Sequence, residues 1–108
     1  MKDFHKIDVD IVFKGVKSSE ALKDYVIKKI NKLGKFFDAQ VNAVMVLSIH
    51  NKKCEAQLRM TGPGFDAHAD AVHDDHNLYS VVDEVVEKLS QQASKRNKKK
   101  LATRNKAS

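Results

Sequence analysis

Residues 41–73 read VNAVMVLSIHNKKCEAQLRMTGPGFDAHADAVH, and this stretch decides the fold. Its first ten residues are a nearly unbroken apolar run rich in valine, the pattern of a strand deep in a sheet. "NKK" at 51–53 reads as a turn with a positive tip. Beyond it Cys54, Ala56, Leu58 and Met60 alternate with Glu55, Gln57 and Arg59, the two-residue period of a half-buried strand. Gly62-Pro63-Gly64 is the strongest turn signal in the chain and holds its only proline. A third alternation follows, with Phe65, Ala67, Ala69 and Ala71 on the packed face. Alanines there imply a helix lying close over that strand. Three strands joined by tight turns make an antiparallel meander.

Upstream, "HKIDVDIVF" puts Ile7, Val9, Ile11 and Phe13 on one side and Asp8 and Asp10 on the other, which predicts another strand, ended by Gly15. Ser18 or Ser19 can then cap a helix with Glu20 in its first turn. That helix carries Leu22, Val26, Ile30, Leu33 and Phe37 on one stripe, with Gly34 at or near its end. Lys28, Lys32 and Lys35 share another face, with Lys23 and Lys29 as further candidates on the same helix. Downstream, Asp74, Asp75 or Asn77 can cap a second helix that turns Leu78, Val82, Val85, Val86, Leu89 and Ala93 toward the core. The predicted order is β-α-β-β-β-α. The first strand reaches the sheet through a helical crossover and so pairs parallel. The expected fold is α+β: a two-layer sandwich with a four-stranded, mostly antiparallel sheet and both helices on one face.

The length, 108 residues, suits one domain with a short tail. Residues 1–96 are expected to form the α+β domain and residues 97–108 a basic C-terminal tail. Net charge is +6, from 20 basic and 14 acidic residues, and its placement is uneven. Lys88 to Ser108 contains eight basic residues and no acidic one, so the first 87 residues carry 12 basic and 14 acidic. A polyanionic partner is the natural reading. Cys54 is the only cysteine, which suits a reducing cytoplasm. The start lacks an apolar stretch of signal-peptide length, and no segment reaches the ~18 apolar residues of a membrane span. The expected location is cytoplasmic.

No nucleophile elbow, phosphate-binding loop or dinucleotide fingerprint is present, and Cys54 lies on the apolar side of its strand. The expected protein is not an enzyme and carries no cofactor. "HADAVHDDH" gathers His68, His73 and His76 with carboxylates, but without the spacing of a closed metal site, and helix capping explains it better. What remains is nucleic acid. Two basic tracks would lie side by side: Lys23, Lys28, Lys29, Lys32 and Lys35 on the first helix, and Lys88, Lys95, Arg96, Lys98, Lys99 and Lys100 on the second. The strands offer few exposed aromatics, so backbone and shape recognition of structured RNA is favoured over base reading. A membrane surface is disfavoured because the basic helix end lacks an inserting Trp, Phe or Leu face.

Two segments carry a family resemblance. "SEALKDYVIKKINKLGKFFD" resembles TEALREFVxxKxxKLExYFD, and "NLYSVVDEVVEKLSQQASK" resembles DMYAAIDxxxDKLxRQLxK; both patterns are those of the short ribosome hibernation-promoting factors, also called ribosome-associated inhibitors or ribosomal subunit interface proteins. The likeness covers most of residues 5–100. It implies a fold akin to double-stranded-RNA-binding domains. It also implies a partner, the small ribosomal subunit and its rRNA, bound where messenger RNA and the A- and P-site transfer RNAs lie, in competition with both. Translation would stop and inactive ribosomes would be stored, in some systems as dimers, by a protein that is a monomer when free. Lys23, Lys29 and Lys32 match basic positions of the first segment and Lys88 and Lys95 those of the second. Tyr79 and Asp83 match its tyrosine and aspartate, as structural or contact residues at the helix start. Gln91 stands where the family usually has arginine, Ala93 where it has leucine and Asn77 where it has the capping aspartate. The tail is basic rather than acidic, which favours the promoting branch. Two alternatives stand beside this reading: a generic structured-RNA binder, and a small metal-binding regulator using His68, His73 and His76.

Overall fold

Alternation and helical stripes resolve, in a computed structural model, into strand β1 (Ile7–Lys14), helix α1 (Glu20–Asn31), a 3-10 turn (Lys32–Phe36), strands β2 (Val41–His50), β3 (Lys53–Gly62) and β4 (Phe65–His73), and helix α2 (Leu78–Ala107). The structure describes residues 7–37, 39–74 and 77–107, with side chains described as far as Lys95. Phe4, Asp75 and His76 lie outside the described residues, as do the side chains of Arg96, Lys98, Lys99 and Lys100.

The sheet order is β1-β2-β3-β4. β1 pairs parallel with β2, from Ile7 opposite Val41 to Lys14 opposite Ser48, and the other two pairings are antiparallel. The parallel pair requires a crossover, which α1 supplies. Gly15 leaves β1 at φ +67, a left-handed conformation that glycine enters without steric cost. Ser19 then caps α1, its Oγ accepting from the Leu22 N–H at 3.3 Å. The α-helix stops at Asn31, sooner than its apolar stripe suggests, and tightens into the 3-10 turn. Leu33 and Phe37 nevertheless stay in the core.

Both hairpin loops have two residues. Asn51 (φ 50) and Lys52 (φ 63) are left-handed, the sense that matches the twist of the flanking strands β2 and β3. Pro63 and Gly64 join β3 to β4, with Gly64 at φ 69. Asn77 caps α2: its Oδ1 accepts from the Ser80 N–H at 3.3 Å.

One core lies between the sheet and the helices. The inward residues of β2, β3 and β4 meet Leu22, Val26 and Ile30 of α1 and Val81, Val82, Val85, Val86, Leu89 and Ala93 of α2. Val81, outside the expected stripe, is fully buried, because α2 packs a wider face than a narrow seam. Ala67, Ala69 and Ala71 lie beneath α2, where larger side chains would hold the helix off. Cys54, opposite Ile49 and His73, is fully buried. β2 departs from its reading in one respect. It is an interior strand, but Val44 is 39 % exposed and Val46 half-buried, since no second layer of described residues covers the outer face of the sheet.

Candidate nucleic-acid interface

The directions of the two helices follow from their contacts. Along β4 and α2 the linked pairs are His73 with Glu84, the Asp70 carbonyl with Lys88 and the His68 carbonyl with Gln92. One number falls as the other rises, so α2 runs back antiparallel to β4. Between α1 and α2 the linked pairs are Tyr25 with Tyr79 and Asp83, and Lys29 with Asp83. These rise together, so the helices run the same way, with the last turn of α1 beside Asp83 near the start of α2. Beyond that level the layer holds the 3-10 turn with Lys32 and Lys35 on one side and Lys88 and Lys95 on the other.

Lys28, Lys32, Lys35 and Lys95 are exposed. Lys28, Lys32 and Lys95 make no ion pair with a described residue, and Lys35 lies over the Phe36 ring at 5.3 Å. Lys23 approaches Glu20 at 3.9 Å. Lys88 is more committed. It donates to the Asp70 carbonyl at 2.9 Å and pairs with Glu84 at 3.3 Å, so its ammonium sits on the β4 flank of α2, away from α1. Gln92 donates to the His68 carbonyl from the same flank. Together they cover backbone acceptors of β4, an edge strand that would otherwise offer them to another chain. The basic residues of α1 and Lys88 of α2 thus share one layer, separated by the width of α2. Gln91 is exposed and donates to Glu87 at 3.5 Å.

At the junction of the helices four side chains form one cluster. The Tyr25 hydroxyl donates to Asp83 Oδ1 at 2.5 Å, and Lys29 Nζ reaches the same oxygen at 3.3 Å. Lys29 lies 5.5 Å from the centre of the Tyr25 ring, and Tyr25 meets Tyr79 edge-to-face at 4.9 Å. The bond to Asp83 raises the Tyr25 phenol above its ordinary value, since losing the proton would set two anions side by side. The same carboxylate raises the Lys29 ammonium. Lys29, Tyr79 and Asp83 were each legible as candidates; Tyr25 was not. Its partner Asp83 is 58 residues away, and no local pattern marks that meeting.

The outer face of the sheet has the opposite character. By register and alternation it carries Asp8, Asp10, Glu55, Asp66 and Asp70 against Lys14, Lys53 and Arg59. Arg59 is already paired with Asp66, at 3.1 Å. A polyanion is repelled there and attracted to the helical layer. The described histidines of the candidate metal set, His68 and His73, do not converge. His68 stands on the exposed side of β4, whereas His73 bonds Glu84 of α2, and no group of three or more metal-ligating side chains occurs among the described residues.

A family model described as Sigma 54 modulation protein / S30EA ribosomal protein matches residues 9–101. The ribosome hibernation promoting factor of Azotobacter vinelandii is 31% identical over 99 residues, 90% of this chain and 80% of that protein. That of Pseudomonas putida is 26% identical over 93 residues, covering 86% and 89%. Among solved structures, the N-terminal domain of Thermus thermophilus Protein Y aligns with a TM-score of 0.74 at 27% identity, over 82% of this chain and 97% of that one. A ribosomal subunit interface protein from Coxiella burnetii aligns with a TM-score of 0.68 at 27% identity, over 82% and 96%. The two helix motifs, the strand order and the family match over nearly the whole sheet and both helices agree, and the chain belongs to the Sigma 54 modulation protein / S30EA ribosomal protein family, that of the ribosome hibernation promoting factors.

Proposed function

We propose that this protein is a ribosome hibernation factor that binds the small ribosomal subunit in the channel of messenger RNA and the A- and P-site transfer RNAs. It blocks translation there and promotes storage of inactive ribosomes as dimers. Family membership makes it a non-enzymatic protein. Free, it is a monomer, and it works in the cytoplasm. No described helix is long and apolar enough to cross a membrane.

The observation that carries this reading is the segregation of charge between two faces. The helices run the same way and carry Lys28, Lys29, Lys32, Lys35 and Lys95 in one layer, while on the outer sheet face five carboxylates stand against three Lys or Arg side chains. Such a molecule meets a folded, phosphate-lined cleft with its helices. Lys23, Lys88, Arg96, Lys98 and Lys99 complete the proposed rRNA contacts, with Lys88 working from the β4 flank. Tyr79 and Asp83 hold the helix junction at the same surface.

The test is sedimentation of purified protein with small subunits, with transfer RNA and a plain RNA duplex as separate competitors. Transfer RNA should displace the protein and an equal mass of duplex should not. Equal displacement by both would reassign the protein as a generic RNA binder. Absence of sedimentation with subunits at low salt would overturn the reading.

A further inference from the structure

The helical layer is not uniformly basic. At the junction of α1 and α2 it carries an exposed aromatic ring beside a carboxylate. Tyr79 is 41 % exposed, on the first turn of α2. Asp83 lies one turn on and Glu87, also exposed, one turn further. A phosphate is disfavoured beside those carboxylates. An uncharged, flat, polar group is not, and a nucleobase has that chemistry.

We infer that Tyr79 is a stacking platform for one unpaired base of rRNA, on the same helical layer as the lysines that hold the backbone. The inference rests on the ribosome-binding reading and adds to it a site for a base. The ring is preorganised. Its neighbour Tyr25 meets it edge-to-face at 4.9 Å and is itself fixed by its bond to Asp83, which Lys29 braces at 3.3 Å. A platform held in place before binding loses little freedom when a base arrives. Exposed rings within a cationic surface are the common means of holding unpaired bases, and stacking tolerates any base because each presents a π-face. Among the described residues no such ring stands on the outer face of the sheet, where the usual readers carry them. The tertiary fold supplies one on the helices instead.

Three variants separate stacking from packing: Tyr79→Phe keeps the ring, Tyr79→Leu keeps apolar bulk without it, and Tyr79→Ala removes both. Affinity for purified small subunits is measured as a function of salt, and the rRNA is probed chemically at nucleotide resolution. Leu and Ala should weaken binding about 5- to 150-fold, the range worth one stacked base. The salt slope should not change, because no charge is removed. Phe should bind as wild type. One unpaired nucleotide should change its base reactivity with wild type and Phe but not with Leu. Wild-type affinity and an unaltered footprint for Tyr79→Leu would overturn the inference while leaving the ribosome reading intact. Failure of the wild type itself to bind subunits would remove both.

Discussion

Removing four exposed ammonium groups from the helical layer should flatten the salt dependence of ribosome binding by a calculable amount. The perturbation is Lys28→Gln, Lys32→Gln, Lys35→Gln and Lys95→Gln together. These side chains are exposed and lie outside the core, and glutamine has nearly the helix propensity of lysine, so the fold should survive. Each lysine that neutralises a phosphate contributes roughly 0.7–0.9 to the slope of log K against log salt. Four such contacts make the variant's slope shallower by about three. Raising salt from ~50 to ~200 mM should then shrink the affinity gap between wild type and variant about sixty-fold. Binding to small subunits by sedimentation across that salt range gives both slopes, and far-ultraviolet circular dichroism checks the fold. Lys14→Gln with Lys53→Gln, on the outer sheet face, is the matched control and should leave the slope as it is. Parallel lines for wild type and the quadruple variant would refute the assignment of the helical layer as the phosphate-binding face.

The interior gives a larger effect on stability. Leu89→Ala, at a fully buried position of α2, should cost about 3–5 kcal/mol and lower the thermal midpoint by about 12 °C or more, read by calorimetry. Asp83→Asn should move the Tyr25 phenol back toward 10.0, because its largest raising influence is the bond to that carboxylate. Tyrosinate absorbance in a Tyr79→Phe background, where Tyr25 is the only tyrosine left, follows it. In the wild type the folded phenol titrates above the unfolded one, so the stability from this bond is whole below pH 10.0 and is lost as pH rises through the folded value. Glu84 works in the opposite sense. His73 first, then Lys88, holds its carboxyl below the ordinary 4.5, so its contribution is present above that pH and is lost as pH falls through the folded value. Urea denaturation of Glu84→Gln as a function of pH should therefore show a shallower loss of stability on the acid side than wild type.

Legibility differed from element to element. Period-two alternation in β3 and β4 and the stripe through Leu22, Val26 and Ile30 marked core faces that the structure buries. Gly15, the Gly62–Gly64 turn and Ser19 marked ends, because each answers a local backbone demand. β2 misled on one face: a run of valines reads the same whether one side or both are covered, and only the layer count decides. The lysines were legible as candidates but their directions were not. Lys88 looked like its neighbours in the charge count, yet a carbonyl of β4, 18 residues away in the chain, holds its ammonium on the outer flank.

From the order of residues alone follow the element sequence, the two-layer fold class, the basic bias of the C-terminal end and the kinship of both helix motifs. Each rests on interactions within a few residues or on simple totals. Packing alone decided which way α1 and α2 run relative to each other, that Tyr25, Lys29, Tyr79 and Asp83 meet, and that the carboxylates of three strands share the face opposite the helices. Those outcomes depend on groups brought together from distant parts of the chain. Helical spacing and strand period determine which way a side chain faces its own element, but the docking of one element on another determines what it finds there.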